Sequence, residues 1–160
     1  MQYQHKTPNI SEVNLEVKDF NFYFNEEILD DSLIHSIAVK ASYQPPNTIV
    51  FFIHFRIKFK SHNGIETSLF HVDYLSAVEI TEVDWTDEER IFVNTEFLAY
   101  ILGKSIVMIR GAIAIRLASN ILYNYPFPVV NPSNIILEEF EQDKKGNSVL
   151  KAKDFGFSHD

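Results

Sequence analysis

Twelve consecutive residues, Ile49–Lys60, alternate so regularly that they fix the central element of any fold this chain can adopt. Ile49, Phe51, Ile53, Phe55, Ile57 and Phe59 fall on one side of an extended backbone. Val50, Phe52, His54, Arg56, Lys58 and Lys60 fall on the other. Successive side chains of a strand point to opposite faces, so this pattern predicts a strand with one greasy and one largely basic face. That is the signature of an antiparallel sheet covered on one side only. Ser61-His62-Asn63-Gly64 follows, and Asn-Gly turn chemistry predicts a hairpin into a further strand, from about Ile65 to Val83. That strand places Phe70, Val72, Tyr74, Val78 and Ile80 on one face, with Leu69, His71, Asp73, Leu75 and Ala77 on the other.

Two more strands precede these. Val13 to Phe24, with Phe20, Phe22 and Phe24 alternating, predicts the first. Ser36 to Tyr43 predicts the second, ended by the breaker Gln44-Pro45-Pro46-Asn47, and Asn25 to His35 reads as the connection between them. After Trp85 the period changes. Thr86-Asp87-Glu88-Glu89 matches a capping box and predicts a long helix to about Tyr123, bent near Gly103 or Gly111. Ile106, Val107, Ile109, Ile113, Ile115, Leu117, Ile121 and Leu122 spread over more than one face of that helix. A helix greasy on several sides is buried on several sides, and another subunit is the simplest second cover. Tyr125 to Pro132, with its three prolines, predicts an extended loop, and Ser133 to Gln142 a short helix ended by Lys144-Lys145-Gly146-Asn147. The expectation is an α+β fold: a four-stranded antiparallel sheet covered on one face by a long helix and a short C-terminal helix. A single domain over 12–143 carries polar tails at 1–11 and 144–160.

Charge narrows the partners. A net charge of -8 argues against nucleic acid, whose binding rests on lysine and arginine displacing counterions from phosphates. It argues equally against docking to an anionic membrane, and the apolar stretch from Ile101 to Leu122 is interrupted by Lys104, Arg110 and Arg116, so membrane insertion is not expected. With no cysteine there are no disulfides or thiolate sites, and the polar first residues resemble no secretory leader; the expected location is the cytoplasm. Fourteen phenylalanines are more than a core of this size requires, which points to a second use for apolar surface.

No catalytic constellation emerges. His54 and His71 can share a face of neighbouring strands, but no metal-ligand spacing accompanies them. Ser119 and Ser133 lack a nucleophile elbow, Glu138-Glu139-Glu141-Asp143 lacks an EF-hand's glycine-turned spacing, and the five glycines form no phosphate loop. No enzyme activity, cofactor or metal is expected.

The order of parts resembles the bacterial export chaperone SecB and its wider family. The most specific local likeness is Tyr125-Pro126, five further residues, then Pro132-Ser133-Asn134-Ile135, and the likeness covers about Val13 to Glu141. Arg110 stands within a turn of an arginine usual in the family's long helix. The resemblance implies a homotetramer, a dimer of dimers with the long helices at the interface, for which Ile106, Ile109, Arg110, Ile113 and Leu117 are candidates. It also implies that non-native polypeptides bind in apolar grooves formed by the first connection, the proline-rich loop and the last helix. Candidate client-binding residues there are Ile28, Leu29, Leu33, Ile34, Tyr125, Phe127, Val129, Val130, Ile135 and Phe140.

The family's contact with the SecA export motor uses an acidic sheet face, at which Leu69 and His71 are the corresponding positions; here His71 stands where an acid is usual and the third strand is basic. Lys151 to Asp160 do not match the family's motor-docking tail, and Tyr123-Asn124 replace the glycine that usually precedes the aromatic-Pro pair. The expected function is an ATP-independent holdase of the export-chaperone type, with a dedicated chaperone of a toxin–antitoxin pair, binding an antitoxin, as the alternative. An enzyme on the same scaffold would need a closed polar pocket, for which the sequence offers no residues.

Overall fold

The computed structural model describes residues 4–17, 33–60, 63–81, 84–85, 90–117 and 130–151. Its main sheet is antiparallel and four-stranded, built from β1 (Asn9–Val17), β2 (Leu33–Gln44), β3 (Thr48–Lys60) and β4 (Glu66–Glu79) in the spatial order β1-β4-β3-β2. The alternation of β3 is realised as read: Ile49, Phe51, Ile53, Phe55 and Ile57 are buried, while Arg56 and Lys60 on the opposite face are exposed. Burying each such side chain contributes roughly 1.5–3 kcal/mol, which is why this strand holds the centre of the sheet.

The edge strands differ from the reading. β1 begins at Asn9, and the segment before it is tied down: Lys6 donates its backbone N–H to the Glu79 carbonyl at 3.0 Å, and Thr81 to that of Gln4 at 2.9 Å. The polar tail assigned to 1–11 is therefore structured over its described part. Phe20, Phe22 and Phe24 lie outside the described residues. A bulge interrupts the β3–β4 register between Ile57 and Lys58, opposite Phe70 and Ser68, so Leu69 is the extra residue and is buried together with Phe70.

The long helix, α1, spans Thr95–Leu117, not a start at Thr86. The preceding residues form β5 (Asp84–Trp85) and β6 (Arg90–Asn94), and Asn94 caps the helix by accepting the Phe97 N–H at 3.0 Å. Ile91 and Val93 are fully buried, so a short β-rich stretch that feeds the core stands just before the helix; Thr86-Asp87-Glu88-Glu89 lie outside the described residues. Neither Gly103 nor Gly111 interrupts the helix. α2 covers Pro132–Glu139; Asn131 is its N-cap, accepting from the backbone of Ser133 and Asn134, with Pro132 in the first turn where its missing N–H costs nothing.

The chain does not become a polar tail at residue 144. β7 (Glu141–Gln142) and β8 (Asn147–Lys151) complete a second sheet in the order β5-β6-β8-β7, and Leu150 is buried in the core. Asp143 builds the hairpin turn, accepting the N–H groups of Lys145 and Asn147 at 2.8 Å, and Gly146 adopts the positive φ of 83° that the turn requires. A second connector of polar side chains ties this hairpin to α1: Thr95 donates to Gln142 Oε1 at 2.6 Å, and Gln142 Nε2 donates to Ser148 at 2.9 Å. Thr95 also shares a hydrogen bond with Ser148 at 2.8 Å, so these three side chains tie the start of α1 to the hairpin of the second sheet.

Candidate functional site: the outer face of the long helix

α1 covers the apolar face of the main sheet with Leu98, Ala99, Ile101, Leu102, Ser105, Ile106, Ile109, Ile113 and Leu117, all buried. Residues three and four apart share a helix face, so the positions between them form a second stripe pointing away from the sheet. That stripe is apolar as well. Tyr100 is 55% exposed, Val107 64%, Met108 39% and Ile115 77%. Nothing among the described residues covers it over most of its length.

Near its N-terminal half the stripe floors a groove of about 630 Å³, lined by Tyr100, Gly103, Val107 and Met108 from α1, by Thr7 and Pro8 from the segment before β1, and by Val130 and Pro132 at the start of α2. Lys104 stands at its rim with Nζ 4.9 Å from the centroid of the Tyr100 ring, where the cation meets the negative face of the aromatic. His5 approaches the same ring edge-on at 5.7 Å. The groove is shallow and greasy, with no converging set of polar groups. Such a surface suits another apolar chain far better than a small polar substrate.

The predicted interface residues divide differently from the expectation. Ile106, Ile109, Ile113 and Leu117 are buried against the chain's own sheet, so they are core, while Arg110 is exposed on the helix surface. The residues that a partner could touch are Tyr100, Val107, Met108 and Ile115 together with Arg110, which also lines the groove. Both helix faces are apolar, so periodicity announces a doubly covered helix without saying which stripe meets the sheet.

Of the candidate client-binding residues, Ile28, Leu29, Tyr125, Phe127 and Val129 lie outside the described residues. Leu33, Val130, Ile135 and Phe140 are partly buried and packed against the core, and Ile34 is 37% exposed. Leu137, not among the predicted residues, is 56% exposed on α2. The two positions assigned to motor contact do not form a free surface. Leu69 is buried at the bulge, and His71 is turned onto Asp73 at 3.3 Å.

The two histidines do share a face. His54 Nδ1 lies 2.5 Å from Asp73 Oδ1, His71 Nε2 lies 3.3 Å from both carboxylate oxygens, and Asn14 Nδ2 donates to Oδ2 at 3.1 Å. Burial pushes the Asp73 carboxyl up, but the hydrogen bonds of Asn14 and His54, the charge of His54 and the hydrogen bond of His71 outweigh it and hold the group below its ordinary value. The cluster joins β1, β3 and β4 through one carboxylate. Among the described residues no group of three or more histidine or acidic side chains is arranged to hold a metal ion.

By length and composition α1 is also long and apolar enough to cross a membrane. Its inner stripe is nonetheless part of the sheet-bound core. No protein-family model matches this chain, and no curated protein and no solved structure matches it.

Proposed function

We propose that this chain is an ATP-independent holdase, which assembles through the outer face of α1 and holds non-native polypeptide on the apolar surface that remains. The observation that carries this reading is the outer stripe itself. Having filled its core with one face of α1, the chain still presents Tyr100, Val107, Met108 and Ile115 to solvent. Exposed apolar residues aligned on one face and flanking a groove mark an interaction surface.

The arrangement of β1 and β2 on opposite edges of the sheet, with a long connection between them, supports the likeness to SecB-type chaperones, as does the start of α2 at Pro132-Ser133-Asn134. In such a protein each apolar contact with a client gains roughly 25 cal/mol per Å² removed from water and requires no particular sequence. Single contacts of this kind are weak. Assembly into an oligomer makes them useful, because several grooves can hold one chain at once.

The test has two arms. Mass in solution should be that of an oligomer, the resemblance pointing to a tetramer, and the double variant V107E/I115E should be a folded monomer. Light scattering should show that the wild-type protein delays aggregation of a chemically unfolded test protein, and that the monomeric variant does so much less. A monomeric wild-type chain without effect on aggregation would refute the proposal. An oligomer that spares only one specific partner would identify a dedicated chaperone of the antitoxin kind.

A further inference from the structure

We infer that the free edge of β2, over Leu33–Ala38, takes up an extended, uncharged segment of a non-native polypeptide as a further strand of the main sheet. The inference rests on the holdase reading for its guest, but it concerns a different part of the surface and is tested separately.

The two edges of the main sheet are built differently. A strand at an edge presents a row of unpaired N–H and C=O groups, and proteins blunt such rows with bulges, prolines or charged side chains. β1 is blunted. Its register breaks between Glu12 and Asn14, it carries Glu12 and Glu16, and Arg116 of α1 grips Glu12. β2 has none of these devices over its first half. It pairs with β3 along its whole length without a register shift, and Leu33 to Val39 contain no proline and no Asp, Glu, Lys or Arg. Among the described residues no strand pairs with its other side.

Exposure shows how far this edge is open. Leu33, His35, Ile37, Val39 and Tyr43 stand opposite the core-facing residues of β3, while Ile34, Ser36, Ala38 and Ser42 stand opposite its outer ones. Toward the end of β2 both faces are covered, for Val39, Tyr43 and Ser42 are all buried. Over the first half both are uncovered. Ile34, Ser36 and Ala38 are exposed on the outer face, and His35 is exposed on the inner one although it pairs with fully buried Ile57. Leu33 and Ile37 pack on the core but are only partly buried.

The chemistry of the edge selects the guest. Backbone donors and acceptors repeating along an extended strand are matched by another extended backbone, and those main-chain hydrogen bonds impose no sequence. Leu33 and Ile37 offer an apolar shoulder to alternate side chains of such a guest. The open stretch is about 20 Å long, and neighbouring strands lie about 5 Å apart. That contact falls far short of the roughly 800 Å² per partner in a stable interface between folded proteins. The edge therefore suits one strand of a client that is also held elsewhere, not a second folded copy.

The probe is a short fluorescein-labelled peptide of alternating valine and threonine, titrated with the full chain and followed by anisotropy. The wild-type protein should bind it, and hydrogen exchange read by mass spectrometry should show Leu33–Ala38 protected on binding, with α1 unchanged. The same peptide N-methylated at its central residues keeps its side chains but loses donors on both edges. It should bind at least about tenfold more weakly, as the loss of two or three hydrogen bonds implies. The variant V107E/I115E, which tests the outer face of α1, should bind the probe as the wild type does, so that failure of either reading is seen separately. The inference is overturned if the probe does not bind, if N-methylation leaves binding unchanged, or if protection falls on α1 instead. Protection of Leu33–Ala38 that needs no peptide and grows with protein concentration would also overturn it, by assigning the edge to a second copy.

Discussion

Ser76 of β4 and Ser105 of α1 face each other in the buried layer between sheet and helix, with their hydroxyl oxygens 2.6 Å apart. Ser105 also donates to the Ile101 carbonyl at 3.0 Å, so Ser76 is the donor of the pair. The two deletions are therefore unequal. S76A leaves Ser105 its carbonyl partner and should cost about 0.5–1 kcal/mol, whereas S105A leaves the Ser76 hydroxyl unpaired in the core and should cost about 1–3 kcal/mol. Urea midpoints of the singles and of S76A/S105A measure this, and the double variant should recover part of the S105A loss. Equal effects of the two singles would show that the pair is not arranged as described.

Asp73 gives the fold an acid-sensitive tie. Its folded carboxyl is held below the ordinary value of 3.8, so it contributes stability above that value and loses it as pH falls through the lower, folded one. D73N should destabilise the protein at neutral pH by about 1–3 kcal/mol, because His54, His71 and Asn14 lose the charge they hold. The gap between wild type and variant should close below pH 3.8, as protonation removes the same charge from the wild type. Urea unfolding across an acid series measures it; a gap independent of pH would mean the charge is idle.

Tyr74 behaves oppositely. Burial, followed by the charge of Glu12, pushes its phenol up to about 12, while the nearby Arg116 guanidinium works in the other direction. Arg116 grips Glu12 with two hydrogen bonds of 3.0 Å, joining the end of α1 to β1. A raised folded pKa means that stability is complete below the ordinary value of 10 and declines as pH climbs from there toward 12. Y74F should remove that part of the alkaline decline. In a spectrophotometric titration the wild type should show one more late-ionising phenol than Y74F.

How much of this could be read beforehand depends on how each residue's signal is carried. β3 declares itself because six apolar side chains alternate along it, and five of them, Ile49 to Ile57, are buried. β6 does not, because Arg90–Asn94 is five residues long and lies just after a convincing capping box. β8 is hidden likewise: Asn147–Lys151 follows the polar turn at Asp143–Gly146, and it is pairing with β6 and β7 that makes it a strand. On α1 the composition reveals two apolar faces, but which one takes Ile109 and which takes Val107 is settled by packing against β4. Leu69 needed the bulge, which leaves no mark on a simple alternation. The Asp73 cluster joins Asn14, His54 and His71 from three strands, so its existence rests on register.

The two glycines of α1 separate folding from assembly. Glycine inside a helix costs roughly 0.5–1 kcal/mol relative to alanine. A Cβ added at Gly103 would lie 3.4 Å from Pro132 Cγ, a contact the ring can meet only at close range, so G103A should gain less than a substitution into open space. A Cβ added at Gly111 would meet nothing within 4 Å, although the residue sits on the outer stripe between Val107 and Ile115. Within one chain, then, G111A should gain nearly the full helix propensity and raise the urea midpoint more than G103A does. If α1 packs on a second copy, the same methyl group enters that contact, and G111A should also weaken the oligomer when diluted. A helix made more stable and an assembly made weaker by one methyl group would place the contact at Gly111. A stabilised helix with undiminished assembly would place it elsewhere on the chain.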